Sequence, residues 1–253
     1  DALSLYFQPQ IDIISGNIVC FEALSRWFHP ELGTITPDEF IPIAEDAGLI
    51  VQLGQQVLIK ACQQLKDWHK KGFDELRVAV NVSAKQFLLS DVAIDVTNVL
   101  EDVGMDARYI ELELTESLIV DDPEKIIGML NKLKELGVKL SIDDFGTGYS
   151  SLSYLSRFPL DVLKIDKSFI NQLTTDEKGL AITQAIIAIA HTLHLEVIAE
   201  GVENEKQIEI LQRLNCKYVQ GYFFGKPISA EDTLIFLNDH NQFDIFTDES
   251  IQI

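Results

Sequence analysis

Histidine and cysteine are scarce in this sequence, and basic residues number half the acidic ones. Each shortage removes a class of function. The three cysteines, Cys20, Cys62 and Cys216, are scattered and odd in number, so no disulfide framework or CxxC zinc pattern is present. That usage fits a reducing compartment. The five histidines, His29, His69, His191, His194 and His240, form no HxH or HExxH pattern, which deprives zinc of its usual ligands. His69, His191 and His194 read as helix-face residues. With 20 Lys+Arg against 40 Asp+Glu the formal net charge is −20. A chain so acidic repels polyanions, which argues against coating DNA or RNA. It leaves room for a small phosphorylated ligand if metal ions or a local arginine supply positive charge. Long apolar runs are also missing: the most apolar stretch, 180–199, is interrupted by Thr183, Gln184, His191, His194 and Glu196. No secretory signal peptide is recognisable. The chain starts at Asp1 without a methionine and enters a strand-like run at once, so it is expected to be a piece of a longer protein.

What is present is an ordinary globular composition, 47% hydrophobic and 24% charged over 253 residues. Strand-like runs cover Leu3–Ile11, Asn17–Phe28, Leu76–Val82, Tyr109–Leu114, Lys139–Ile142, Val162–Ile165, Glu196–Ala199 and Tyr218–Phe224. Helix-like segments lie between most of them. In Gln55–Lys71, for example, Val57, Leu58, Ala61, Leu65 and Trp68 recur at helical spacing. The others are Val92–Val103, Pro123–Leu136, Ser151–Phe158, Leu180–Leu193 and Glu205–Leu214. Thr36-Pro37 and Asp122-Pro123 read as N-caps followed by proline at the first helical position. Gly72, Gly104 and Gly137 each close a helix before a strand, at intervals of 32 and 33 residues, about the size of one βα unit.

Eight strands with interleaved helices predict an α/β fold, a (β/α)₈ TIM-like barrel of about 250 residues. A doubly wound open sheet is disfavoured, because no glycine-rich dinucleotide loop follows any strand. Ile14-Ser15-Gly16-Asn17 looks like a hairpin turn where a regular barrel would place a helix, so one antiparallel strand is expected near the N-terminus. Residues 1–240 are assigned to the barrel and 241–253 to a peripheral acidic tail.

Almost every strand ends in a polar residue that a core strand does not need: Glu22, Asn81, Glu113, Asp143 with Asp144, Lys164, Glu200 and Gln220. In a parallel barrel the C-terminal strand ends meet at one face, where active sites sit. In Ile110-Glu111-Leu112-Glu113-Leu114 the apolar residues share one face and both glutamates the other. Taken singly, each polar residue also reads as a loop residue or a member of a buried ion pair. Taken together, five carboxylates and one lysine converge on one opening, and unpaired they would repel. Divalent cations with hard oxygen ligands relieve that repulsion, which favours Mg²⁺ or Mn²⁺ over zinc. An Asp-Asp step flanked by Glu and Asn suits two metals sharing a carboxylate, an arrangement used in phosphoryl chemistry.

At this point the residues carry a resemblance. Glu22-Ala23-Leu24-Ser25-Arg26, with Gln8-Pro9 upstream, resembles the EAL domain, a family of bacterial cyclic di-GMP phosphodiesterases. So do Asn81-Val82-Ser83, Glu113-Leu114-Thr115-Glu116-Ser117, Lys164-Ile165-Asp166, Glu200-Gly201-Val202-Glu203 and Gln220-Gly221-Tyr222. The most specific segment is Asp143-Asp144-Phe145-Gly146-Thr147-Gly148-Tyr149-Ser150-Ser151-Leu152. The motifs run in order over residues 3–238.

The resemblance implies a barrel with one reversed strand. It also implies hydrolysis of cyclic di-GMP to linear pGpG with two Mg²⁺ or Mn²⁺ ions per site. Glu22, Asn81, Glu113 and Asp143 would hold one metal, and Asp143, Asp144 and Glu200 the other. Lys164 would act on the nucleophilic water, as base or as orienting group. Lys164, Glu200 and Asp144 are thus the catalytic candidates. Gln8, Arg26, Glu203 and Gln220 are the substrate-binding ones; for Arg26, a phosphate grip competes with a surface ion pair. Ca²⁺ is expected to inhibit, because it fills such sites without enforcing the metal spacing. A regulatory loop of Phe145, Gly146, Thr147 and Gly148, anchored by Glu116, is expected to link a homodimer contact to the site. Gly146-Thr147-Gly148 also reads as a tight turn or phosphate nest, and Phe145 and Tyr149 as simple packing residues. The implied setting is a cytoplasmic domain, in a longer and membrane-attached signalling protein, with sensor or cyclase-like domains beside it. The competing functions are an inactive EAL domain that serves as a cyclic di-GMP receptor and, without the resemblance, a metal-dependent barrel lyase using Lys164 as base.

Overall fold

In the computed structural model the residues described are 3–115, 118, 123–146, 155–239 and 243. The strands are β1 Leu3–Asp12, β2 Ile18–His29, β3 Gly33–Ile35, β4 Arg77–Val82, β5 Ile110–Thr115, β6 Lys139–Phe145, β7 Val162–Ile165, β8 Glu196–Ala199, β9 Tyr218–Gln220 and β10 Ile228–Ser229. Their order is β10-β1-β9-β8-β7-β6-β5-β4-β2-β3, and the extra pairing of β1 with β2 closes eight of them into a barrel. β1 runs antiparallel to both barrel neighbours, β2 and β9, whereas the remaining barrel pairs are parallel. The expected fold class and its reversed strand are therefore both present.

The reversal follows from the turn at residues 13–17. Asp12 Oδ1 accepts from the Ile14 and Ser15 amides at 2.9 and 3.3 Å, and the Gly16 amide returns to Asp12 O at 2.7 Å. The chain thus folds back at once, with no helix to carry it across the barrel.

Outside the barrel lie α1 Pro37–Asp46, α2 Ile50–His69, α3 Ala84–Leu89, α4 Val92–Val103, α5 Pro123–Leu136, α6 Lys167–Gln172, α7 Glu177–Thr192, α8 Glu205–Arg213 and α9 Ala230–Asp239. α2 buries Val57, Leu58, Ala61, Cys62, Leu65 and Trp68, the stripe its spacing predicts. Trp68 is fully buried, with its ring 4.8 Å from Phe7 of β1 and 5.3 Å from Phe21 of β2. α1 starts as expected, with Pro37 at its first turn and the Thr36 amide donating to Glu39 at 3.0 Å. Gly72, Gly104 and Gly137 all have positive φ. No helix among the described residues is long and apolar enough to cross a membrane.

Some boundaries differ from expectation. The run Tyr218–Phe224 is strand only to Gln220, because Gly221 turns the chain. α2 begins five residues early, at Ile50. α7 begins at Glu177, where Asp176 accepts from the Lys178 amide at 3.0 Å. His194 is not on a helix face: it lies past the end of α7 with φ of 60°. The proposed cap Asp122 and residues 151–154 of the expected helix lie outside the described residues. Phe243, in the segment read as a peripheral tail, meets the Phe224 ring edge to face at 5.3 Å and donates its amide to Gly16 O at 2.9 Å.

Gly221 is a close-approach position. A Cβ there would stand 2.1 Å from Val202 O and 2.3 Å from Val202 N, backbone atoms that cannot swing aside. The same contact carries the Val202 amide to Gln220 O at 3.1 Å and the Phe223 amide to Val202 O at 3.0 Å, so it fastens the segment after β8 to the end of β9. Gly221→Ala is expected to cost about 3 kcal/mol, the upper part of the overpacking range, measured by urea denaturation. A loss below about 0.5 kcal/mol would show that the two segments separate freely.

Candidate metal centre

Strand parity delivers the polar residues to the barrel interior. On β5, Ile110, Leu112 and Leu114 face the helices, while Glu111 and Glu113 face inward, all five buried. The same alternation puts Gln8 and Gln10 on the interior side of β1, Glu22 on that of β2 and Lys164 on that of β7. Glu200 lies one residue past β8, and its amide donates to Ile165 O at 3.1 Å.

β6 breaks the alternation where it matters. Ile142 pairs with Leu163 and Phe145 with Ile165, so β6 spends three steps where β7 spends two. The extra residue is accommodated by Asp144, whose φ of 54° is left-handed, a conformation aspartate tolerates better than most residues. Through this bulge consecutive aspartates reach the same mouth. The Asp144 amide donates to Asp143 Oδ1 at 2.9 Å.

Two clusters of carboxylates result, Glu22–Glu113–Asp143 and Asp143–Asp144–Glu200, each offering oxygens within 4.8 Å of one another. Asp143 belongs to both. Lys164, fully buried, stands among them: its Nζ is 2.7 Å from Glu200 Oε1, 2.8 Å from Glu113 Oε1, 3.3 Å from Asp143 Oδ1 and 3.8 Å from Glu22 Oε2. Among the described residues neither Nζ nor either Glu113 oxygen has a well-aligned hydrogen bond, so charge rather than bond geometry holds the group. Buried carboxylate oxygens of this kind, all hard donors and short of hydrogen bonds, fit Mg²⁺ or Mn²⁺. Asn81 donates Nδ2 to Glu22 Oε1 at 2.7 Å, which leaves its carbonyl oxygen as a further donor to a metal.

Crowding shifts the titrations. Burial pushes Glu113 well above the usual carboxylate range, and the charge of Glu22 adds to that. Burial likewise lifts Glu200 to about 8 against the opposing pull of Lys164. Asp144 rises to about 6, through burial and then the charges of Asp143 and Asp166. Glu22 is lowered: burial opposes ionisation, but Lys164 and the amide of Gln220 outweigh it. For Lys164 burial disfavours the ammonium, and Asp143, Glu113, Glu200 and Glu22 overcome this and hold it charged well above the ordinary lysine range.

Of the proposed substrate residues, Gln8 and Gln220 both border Glu22. Gln220 Nε2 donates to Glu22 Oε2 and, at 3.1 Å, to Gln8 Oε1. Arg26 lies within β2, four residues beyond Glu22 on the same face. It donates to Ser25 O at 2.8 Å, lies 5.8 Å from the Tyr6 ring centre and, among the described residues, makes no ion pair. Glu203 is exposed on the segment after β8, with its amide donating to Gln207 Oε1 at 2.7 Å. Phe145 is buried, and Gly146 has φ of 99° beside the Phe169 ring. Glu116, Thr147, Gly148 and Tyr149 lie outside the described residues. Sequence reading missed Gln10, Asp166 as a charge near Asp144, and the buried pair of Glu111 with Arg77 at 3.6 Å. Parity with Gln8 and Glu113 was the signal available for Gln10 and Glu111.

The raised carboxylates make stability depend on pH in the metal-free protein. Glu200, ordinarily near 4.5 and about 8 when folded, takes up a proton on folding between those values. Its contribution is full below about 4.5 and is lost as pH rises through 8. Asp144 acts the same way from 3.8 to about 6. Groups held low, such as Glu22 and Asp91, lose their contribution only in more acid solution. In EDTA the melting temperature is therefore expected to fall from pH 5 to pH 8.5, and to fall less with Mg²⁺ present. Scanning calorimetry checks this, and a melting temperature that rises over that range in EDTA contradicts it.

The EAL domain family model matches residues 1–227. The chain is similar to cyclic di-GMP phosphodiesterase NbdA of Pseudomonas aeruginosa, 46% identical over 228 residues, which are 90% of this chain and 29% of that protein. It is also similar to the bifunctional diguanylate cyclase/cyclic di-GMP phosphodiesterase MucR of the same organism, 45% identical over 92% of this chain and 34% of that protein. Among solved structures, the PaMucR phosphodiesterase in complex with c-di-GMP matches with a TM-score of 0.87 at 45% identity, covering 92% of this chain and 94% of that one. The EAL enzyme Bd1971 in its cAMP and cyclic-di-GMP bound form matches with a TM-score of 0.88 at 33% identity, covering 94% and 65%. The chain spans about a third of the length of the curated relatives it matches. With this coverage, and with the strand-end carboxylates in place, the chain belongs to the EAL domain family.

Proposed function

We propose that this chain is a metal-dependent phosphodiesterase that opens one phosphodiester bond of cyclic di-GMP to give linear pGpG. The observation that carries the reading is the pair of three-carboxylate clusters sharing Asp143 around a buried lysine. The names of NbdA and MucR and the ligand in the PaMucR complex support it. Glu22, Asn81, Glu113 and Asp143 would hold one Mg²⁺ or Mn²⁺, and Asp143, Asp144 and Glu200 the second. Bound there, the ions supply Lewis-acid chemistry, drawing charge from phosphoryl oxygens and making a water molecule more acidic.

The chain's own residues do the rest. Lys164 Nζ, within 3.3 Å of carboxylates of both clusters, would hold the attacking water by hydrogen bond as the ammonium, or take its proton once cations bound beside it have lowered its pKa. Asp144 and Glu200, in the carboxylate cluster beside it, are the neighbours that would receive or relay that proton. The water oxygen bonds to phosphorus, the bond to one sugar oxygen breaks, and that oxygen leaves with a proton. Arg26, on the mouth side of Glu22, would grip a phosphate bidentately. Gln8, Glu203 and Gln220 border the same opening. In the longer protein, the domain would work on the cytoplasmic side as a homodimer, with residues 145–148, anchored by Glu116, linking the dimer contact to the site, and with sensor or cyclase-like domains beside it. Its span of about a third of NbdA and MucR supports neighbouring domains.

Incubation with cyclic di-GMP and Mg²⁺ or Mn²⁺ is expected to yield pGpG, resolved by chromatography. EDTA should abolish turnover and Ca²⁺ should not restore it. Tight binding without turnover would make the chain a receptor instead. Lys164→Ala is expected to lower kcat by about 100-fold or more with a smaller change in KM, because the lysine acts on the water and not on the bound ground state. A near-native kcat with a raised KM would move Lys164 to substrate binding.

A further inference from the structure

Three glutamine side chains form a directed hydrogen-bond chain beneath the Glu22 carboxylate. Gln8 Nε2 donates to Gly225 O at 3.1 Å, Gln220 Nε2 donates to Gln8 Oε1 at 3.1 Å and to Glu22 Oε2, and Gln10 Nε2 donates to Gln220 Oε1 at 3.0 Å. The direction is dictated by the ends. A peptide carbonyl can only accept, so Gln8 must turn its NH₂ to Gly225 and its oxygen inward. An ionised carboxylate can only accept, so Gln220 must turn its NH₂ to Glu22. That leaves the Gln220 oxygen pointing away from Glu22, and its donor is Gln10. Gln10 itself is 1% exposed and sits opposite Gln220 in the register of β1 and β9. The β1–β2 register shifts immediately after Gln10, yet Gln10 remains aligned with Gln8 on the interior face.

We propose that Gln10 is a positioning residue for the metal site: by donating to the Gln220 oxygen it satisfies the one buried acceptor that the Gln220 orientation leaves over, and so helps to hold Glu22 as a ligand. This deepens, and rests on, the metal-dependent reading above. Glu22 and Gln8 both draw the Gln220 NH₂ toward themselves, but without Gln10 that same orientation leaves the Gln220 oxygen buried with no donor, a penalty the amide relieves only by turning out of line with Glu22. Glu22 then loses a donor that holds its carboxylate in place and is a poorer ligand. The Gln10 side-chain hydrogen bond goes to Gln220, so its effect is transmitted through that side chain. Outer partners that orient metal ligands typically govern affinity by ten-fold or more.

The test is Mn²⁺ binding to the whole chain by isothermal titration calorimetry, without substrate. The wild-type isotherm examines the metal reading itself; the difference between isotherms examines Gln10. Gln10→Met keeps length and volume but donates nothing, and Gln10→Leu is the second variant. Both are expected to weaken Mn²⁺ binding by about ten-fold. They should also raise the Mn²⁺ concentration needed for half-maximal turnover in proportion, while leaving KM for cyclic di-GMP at saturating Mn²⁺ within two-fold of wild type. Equal Mn²⁺ affinity in wild type and folded variants overturns the proposal. So does a raised KM for the dinucleotide with unaltered Mn²⁺ affinity, which would put Gln10 on the substrate side. Loss of the native circular dichroism spectrum in both variants also overturns it, by making Gln10 a residue of the fold alone.

Discussion

Five carboxylates share one ammonium at the mouth of the barrel. Lys164 Nζ lies within 3.8 Å of four of them, and Asp144 completes the set through its cluster with Asp143 and Glu200. One buried cation cannot neutralise five anions in a low-dielectric interior. The metal-free protein answers by holding protons on Glu113, Glu200 and Asp144 well into the range where carboxylates are normally ionised. Two divalent ions offer the other answer: with the ammonium they carry five positive charges against five carboxylates. Divalent occupancy and a charged lysine therefore close the balance together, and neither does so alone.

The contrast with the layer below shows why imbalance, rather than burial of charge, marks the site. Deeper in the same barrel Glu111 has Arg77 at 3.6 Å, and Lys139 is paired with Glu196. Each carboxylate there has its own cation. The Glu111 carboxylate is buried, whereas the Lys139–Glu196 pair is partly exposed to solvent. One layer higher a single cation, Lys164, is shared by several carboxylates. Glu111 and Glu113 stand two residues apart on one strand, equally buried, and differ in whether a dedicated partner was provided.

Much of this was legible in the sequence because strand period and barrel topology are local rules. The alternation in residues 110–114 showed which side chains face inward, and the glycine spacing showed the βα repeat. The turn at 14–17 showed the reversed strand. What sequence could not show is which residues meet across strands distant in the chain. Gln10 and Gln220 are 210 residues apart and hydrogen-bonded, and Gln220 also reaches Gln8 and Glu22 at the other end of the chain. Face is a property of one strand; layer is a property of the register between strands. The bulge in β6 was hidden for the same reason, since Asp143-Asp144 looks like consecutive residues on opposite faces until the pairing with β7 is known. Gly221, quoted only as part of a motif, has its physical reason in the Val202 backbone 2.1 Å from its missing Cβ.

The two carboxylate clusters are consequently not equivalent. Glu22 and Glu113 are buried on regular strands, and Glu22 is held from two sides by Asn81 and Gln220. Their oxygens are fixed before any ion arrives, so binding there costs little reorganisation and leaving them without a cation is expensive. The second cluster adds Asp144, exposed and in left-handed backbone on a bulge, and Glu200, half-buried and just past the end of its strand. These positions lie outside the regular pairing of the strands. Asp143 belongs to both clusters, so the backbone of the β6 bulge sets the geometry of the two together. Strand parity alone delivers the inner carboxylates, whereas the outer set exists only because one inserted residue in β6 brings Asp144 to the same mouth as Asp143.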